Sequence, residues 1–139
     1  MIKYLKLILI FPLIITFYQC KAQSDKVDDQ TKSTIEVRAD IAQKLTESKT
    51  NLEEVYNESV EFLDSVGTSD TENYKLFLFK SQSGWKKYCE GKCKIAEYQS
   101  RDAAQGGFAF YKICMTELNN KRTTELKNLL KGWKIEFNN

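Results

Sequence analysis

Two stretches decide how this chain folds: Gln82–Cys93, QSGWKKYCEGKC, and Cys114–Leu126, CMTELNNKRTTEL. In the first, Gln82, Trp85, Cys89 and Cys93 recur every three or four residues. In the second, Cys114, Leu118, Arg122 and Leu126 step by four. Side chains three and four apart share one face of an α-helix. Each stretch therefore reads as a helix with an inner stripe, and the two are joined by a segment containing Gly106-Gly107. The pattern is a helical hairpin that carries cysteines on both arms.

Outward from the hairpin the same period continues. Before it, Ile41, Leu45, Leu52, Val55, Tyr56, Leu63 and Val66 follow helical spacing, predicting a first helix over about 34–66. Gly67 is its expected stop, because glycine accepts the left-handed conformation found there. A Ser or Asp in the turn Thr68-Ser69-Asp70-Thr71 is expected to cap the next helix. That second helix is predicted over about 71–90. Its stripe is Leu78, Gln82, Trp85 and Cys89, with Tyr74, Phe77 and Tyr88 beside it and Gly91 as its end. Gly84 costs it about 1 kcal/mol relative to alanine and permits close approach of a neighbouring helix. Residues 92–107 read as loop with some local helix. The third helix is predicted over about 107–131, with Phe110, Cys114, Leu118, Arg122, Leu126 and Leu129 or Leu130 inward. Gly132 would end it, and the alternating Trp133, Ile135 and Phe137 would pack back as an extended tail. The fold class is all-α: a small bundle of three main helices around a hairpin stapled by a disulfide.

The N-terminus reads as an export signal over residues 1–22. Lys3 and Lys6 precede a short apolar run, Leu7 to Phe17, which is too short for the roughly 20 residues that span a membrane. Two processing routes fit. Cleavage before Gln23 has the small residues Cys20 and Ala22 at the expected positions. Cleavage before Cys20 would leave a lipidated first residue, which is the one route that places the chain at a membrane. Residues 23–33 are polar and read as a linker, and 34–139 as the helical domain. Processing also changes the charge. Of 21 basic residues, cleavage before Gln23 removes Lys3, Lys6 and Lys21 and leaves 18 against 19 acidic, and cleavage before Cys20 leaves 19 against 19. A nucleic-acid-binding domain is expected to keep a basic excess, and this one does not.

The chain has no histidine, which excludes a Ser-His-Asp triad, a Cys-His pair and His-ligated zinc. No phosphate-binding glycine loop is present. The acidic pairs Glu53-Glu54 and Asp28-Asp29 read as solvated surface, not as catalytic carboxylates. No catalytic residue, cofactor or metal site follows, and the chain does not read as an enzyme. An exported chain keeps Cys89, Cys93 and Cys114, enough for one bridge with one thiol left over. Spacing does not choose the pair, although Cys89 and Cys93, one helical turn apart, are awkwardly placed for one. Trp85 and Tyr88 read as core aromatics. Arg122, on an inner stripe, requires a carboxylate partner, and Gln82 suits the role of satisfying another buried polar group.

The series resembles the LprI-like lysozyme inhibitor family of small exported helical domains. The resemblance rests on Leu52 and Tyr56 in the first helix, then Leu78, Gln82, Trp85, Tyr88 and Cys93. After the loop it continues with Cys114, Leu118, Arg122 and Leu126, so that it spans about 39–130. It implies a Cys93–Cys114 bridge, a cell-envelope or periplasmic location and, for some members, inhibition of lysozyme. The function expected is therefore binding to a protein, a lysozyme or related cell-wall hydrolase, by occlusion of its cleft. The alternative is a structural or adaptor role in the envelope. The polar segment 98–107 is the expected contact, with Arg101 reaching the paired carboxylates that glycosidases use.

Overall fold

The computed structural model describes residues 22–137, with side chains from residue 34 onward. The export segment and Cys20 lie outside the described residues. Three helices follow in order: α1 (Ala22–Val66), α2 (Ser69–Gln99) and α3 (Gly107–Phe137). No strand occurs among the described residues. None of the described helices is long and apolar enough to cross a membrane. The chain divides after Val37 into two units, and the core, the hairpin and the cleft belong to the second.

The helices run longer than the sequence pattern predicts, for one physical reason. Glycine stops a helix where it takes a positive φ, not wherever it occurs. Gly67 has φ +65° and ends α1, while Gly106 has φ +75° and precedes α3. Gly91 and Gly132 have no such φ, and α2 and α3 pass through them. The predicted stops at Gly91 and Gly132 are therefore wrong, and the tail is helical. Trp133 and Phe137 sit four apart and both face inward, with Tyr74 5.6 Å from the Trp133 ring centroid and 5.9 Å from that of Phe137. At the other end α1 begins at Ala22, ahead of the predicted Thr34. No glycine or proline interrupts it between Ala22 and Val66, and polarity alone does not break a helix.

The α1–α2 turn is closed by a reciprocal cap. Thr68, not a Ser or Asp, is the capping residue: its Oγ1 accepts from Thr71 N at 3.3 Å, and its own N donates to Thr71 Oγ1 at 3.0 Å. This satisfies two backbone donors that the helix leaves unpaired. Thr68→Ala is expected to lower the unfolding free energy by about 1 kcal/mol, measured by urea titration. Thr68→Ser should lose little of it.

The core has two parts. Leu52, Val55 and Leu63 of α1 meet Leu78 of α2 and Leu126 and Trp133 of α3. Further along the hairpin, Cys89 and Cys93 pack with Leu118, Tyr111, Cys114 and Met115. Trp85 packs against both clusters and so joins them. Each buried leucine contributes about 1.5–3 kcal/mol through removal of apolar surface from water. α1 and α3 are also tied by a buried hydrogen bond, Asn119 Nδ2 donating to Ser48 Oγ at 3.0 Å. Surface pairs such as Lys134–Glu58 at 2.9 Å add little, since exposed pairs are worth about 1 kcal/mol at most. Phe110 departs from the inner face expected of it, and Phe77 from the flank of the α2 stripe. Phe77 is largely exposed, and Phe110 is at the surface while its neighbour Ala109 is buried. On α3 it is Leu130, not Leu129, that faces the core.

Candidate functional site

The site grows from the hairpin of α2 and α3. Cys93 and Cys114 are bonded, with Cα atoms 5.6 Å apart and a sequence separation of 21. This is the pairing that the resemblance implies. Cys89 is buried and free, and burial pushes its thiol pKa up, against the opposing fields of Lys92 and Arg122. A thiol held in that state is a poor nucleophile.

Beyond the bridge the helices close on a short tip. The loop is Ser100 to Gly106, shorter than the predicted 92–107, because α2 continues to Gln99. Its turns are held by backbone bonds from Ala103 N to Ser100 O at 3.1 Å and from Gly106 N to Ala103 O at 2.8 Å. At Gly107 the two arms approach closely. A Cβ there would lie 2.2 Å from the Glu97 carbonyl oxygen, so only glycine fits.

Arg101 stands exposed on this tip. Its guanidinium lies 4.4 Å from the Tyr98 ring centroid, Nη1 donates to Tyr98 O at 3.0 Å, and Nε is 3.6 Å from Asp102 Oδ2. These contacts orient the side chain but leave it at the surface. Around it the tip is aromatic and cationic. Phe108 and Tyr111 stack with centroids 6.3 Å apart, Lys112 sits 4.7 Å from the Phe108 ring and Lys94 5.1 Å from the Tyr111 ring. Tyr98 and Phe108 remain more than half exposed. Tyrosine, phenylalanine and arginine are the residues enriched where proteins bind proteins.

Arg122 is buried below the tip. Its Nε donates to Gln82 Oε1 at 3.1 Å, Nη2 to Ser81 Oγ at 2.7 Å and Nη1 to Glu125 Oε1 at 2.7 Å. The carboxylate comes from one turn along α3, and the other two acceptors come from α2. The guanidinium thus locks the two arms in register. The bond from Arg122 fixes the Gln82 carboxamide with its oxygen toward α3.

A cleft of about 670 Å³ opens beside this network, lined by Leu52, Tyr56, Phe79, Gln82, Trp85 and Met115 among others. Glu53 is the one acidic residue on its wall, so it offers binding surface but no carboxylate pair. Sequence reading missed the cleft. Periodicity tells which residues turn inward, not where three helices fail to fill the space between them. No group of three His, Cys, Asp or Glu side chains able to hold a metal occurs among the described residues.

The series from the sequence therefore separates in space. Leu52, Leu78, Leu118 and Leu126 are core, Gln82 and Arg122 form the buried network, and Tyr56 and Trp85 are part-buried beside the core. Tyr88 departs from the core position expected of it. It is 58% exposed and carries Lys92 Nζ 5.6 Å from its ring centroid. Cys89 takes the inward position next to it, which turns Tyr88 away. Arg101 is remote from the series, on the tip.

No curated protein and no solved structure matches the chain. The family model described as lysozyme inhibitor LprI matches residues 24–126. That span contains the bridge, the buried arginine, the tip and every residue of the series, and the chain belongs to the LprI lysozyme inhibitor family.

Proposed function

We propose that this chain is an exported inhibitor of a lysozyme or related cell-wall hydrolase, acting by binding and not by chemistry. The observation that carries this reading is the α2–α3 tip. An exposed arginine is oriented on a tyrosine face, ringed by further aromatics, and set on a hairpin closed by a disulfide. A rigid base lowers the ordering cost of binding. A compact cationic tip also suits entry into a cleft whose floor holds two carboxylates. The near balance of charge in the processed chain leaves that local complementarity, rather than a long-range field, to supply specificity.

Turnover by several lysozymes, measured with increasing amounts of the oxidised protein, tests this. Inhibition of at least one is expected. Arg101→Ala should weaken it by about tenfold or more, as for a centrally placed interface arginine, while thermal stability stays unchanged because the side chain is exposed. No inhibition at large molar excess would sink the reading in favour of an envelope adaptor. Inhibition unaffected by Arg101→Ala would move the contact away from the tip.

A further inference from the structure

The outer face of α2 carries a second regular pattern, of which the Arg122 network uses Ser81 alone. Phe77, Ser81, Gly84, Tyr88, Gly91, Ile95 and Tyr98 follow one another at alternating steps of four and three. This is the spacing of a coiled-coil seam. Phe77 is 60%, Tyr88 58% and Ile95 60% exposed, and nothing lies within 4 Å of a Cβ built on Gly84 or Gly91. Apolar residues on an exposed helical seam are unfavourable, and two glycines inside a helix cost about 1 kcal/mol each relative to alanine. Among the described residues neither glycine receives the neighbouring helix that the sequence suggests for Gly84. Instead, the small residues Ser81, Gly84 and Gly91 leave notches between the large Phe77, Tyr88 and Ile95.

We propose that this seam docks an amphipathic helix of a partner protein whose flanks are acidic. Charge chooses the occupant. Lys80, Lys87 and Lys94 run along one flank at seven-residue spacing, all exposed. Lys94 pairs with Glu97 at 2.8 Å, while Lys80 and Lys87 form no ion pair among the described residues. A second copy of the chain fits worse. Parallel pairing sets glycine against glycine. Antiparallel pairing that puts Tyr88 over the partner's notch brings lysine rows of like sign together, which is destabilising. A lipid surface would meet the aromatic and basic residues but makes no use of notches, whose purpose is close approach of another backbone.

The test uses the oxidised processed protein and a panel of fluorescent three-heptad helical peptides, with leucine at a and d. One set carries glutamate and the other lysine at the flanking positions. Anisotropy should show salt-sensitive binding of the acidic set and none of the basic set. Gly84→Leu should weaken binding by about tenfold or more, or ~1.4 kcal/mol, while leaving the melting temperature equal or higher, so lost folding cannot explain the loss. Lys80→Glu with Lys87→Glu should reverse the preference between the sets. Equal binding of both sets, binding unaffected by Gly84→Leu, or no binding by any peptide would overturn the proposal. So would a dimer in sedimentation that Gly84→Leu dissociates, or binding to anionic vesicles in place of the acidic peptides.

Discussion

Replacing Cys93 and Cys114 together by alanine is expected to lower the unfolding free energy by about 3 kcal/mol. The bridge joins residues separated by 21 in sequence, and in the chain-entropy model closing such a loop removes about this much freedom from the unfolded state. For a domain near 100 residues the loss corresponds to a fall in melting temperature of roughly 10–20 °C. The position of the bridge adds a local effect. It lies towards the tip of the hairpin, so without it the arms beyond Leu118 are held by the packing of Tyr111 and Met115, the Lys94–Tyr111 contact and the close approach at Gly107. Reduction with dithiothreitol should reproduce the double variant, since Cys89 is already free. Guanidinium titration of oxidised, reduced and substituted protein measures all three. A loss below about 1 kcal/mol would mean that packing alone closes the hairpin.

The second large effect is expected at Arg122. Arg122→Met keeps most of the apolar stem but removes the guanidinium that serves Gln82, Ser81 and Glu125. Glu125 and Ser81 lie at the surface and can turn to water. Gln82 is buried, and its Oε1 would lose its donor. A buried polar group left unsatisfied costs about 1–3 kcal/mol, and the lost charge-assisted bond adds to this. The expected total is about 2–3 kcal/mol. A double-mutant cycle separates network from packing. Arg122→Met with Gln82→Leu should cost less than the sum of the two single changes, by about 1 kcal/mol or more. Additive costs would show that the two side chains act independently.

The helices themselves were readable because their apolar positions recur at the helical period, and the hairpin because its cysteines and leucines step by four. What the sequence concealed has three physical sources. Glycine is ambiguous: Gly67 and Gly106 take positive φ and end or precede helices, whereas Gly91 and Gly132 lie inside them. A short apolar stretch is ambiguous too. Trp133, Ile135 and Phe137 suit an alternating strand, but Trp133 and Phe137 alone also suit a helix, and packing on Tyr74 decides for the helix. Lastly, neighbouring residues on a helix do not both face fully inward. The sequence pattern places Cys89 on the inner stripe and Tyr88 in the core beside it; Cys89, in line with Cys93 on α2, takes the buried position and Tyr88 is turned outward. The tip was located in sequence, although its helical shoulders were not. The cleft beside Trp85 left no trace in the pattern, because it depends on how three helices are offset.

The most direct test of cleft occlusion is steady-state lysozyme kinetics on a soluble chitooligosaccharide at several fixed amounts of the oxidised protein. A tip that enters the substrate cleft competes with substrate, so the apparent KM should rise with inhibitor while kcat stays constant. A fall in kcat at unchanged KM would place binding outside the cleft, and kinetics unchanged at large excess would contradict the inhibitor account altogether.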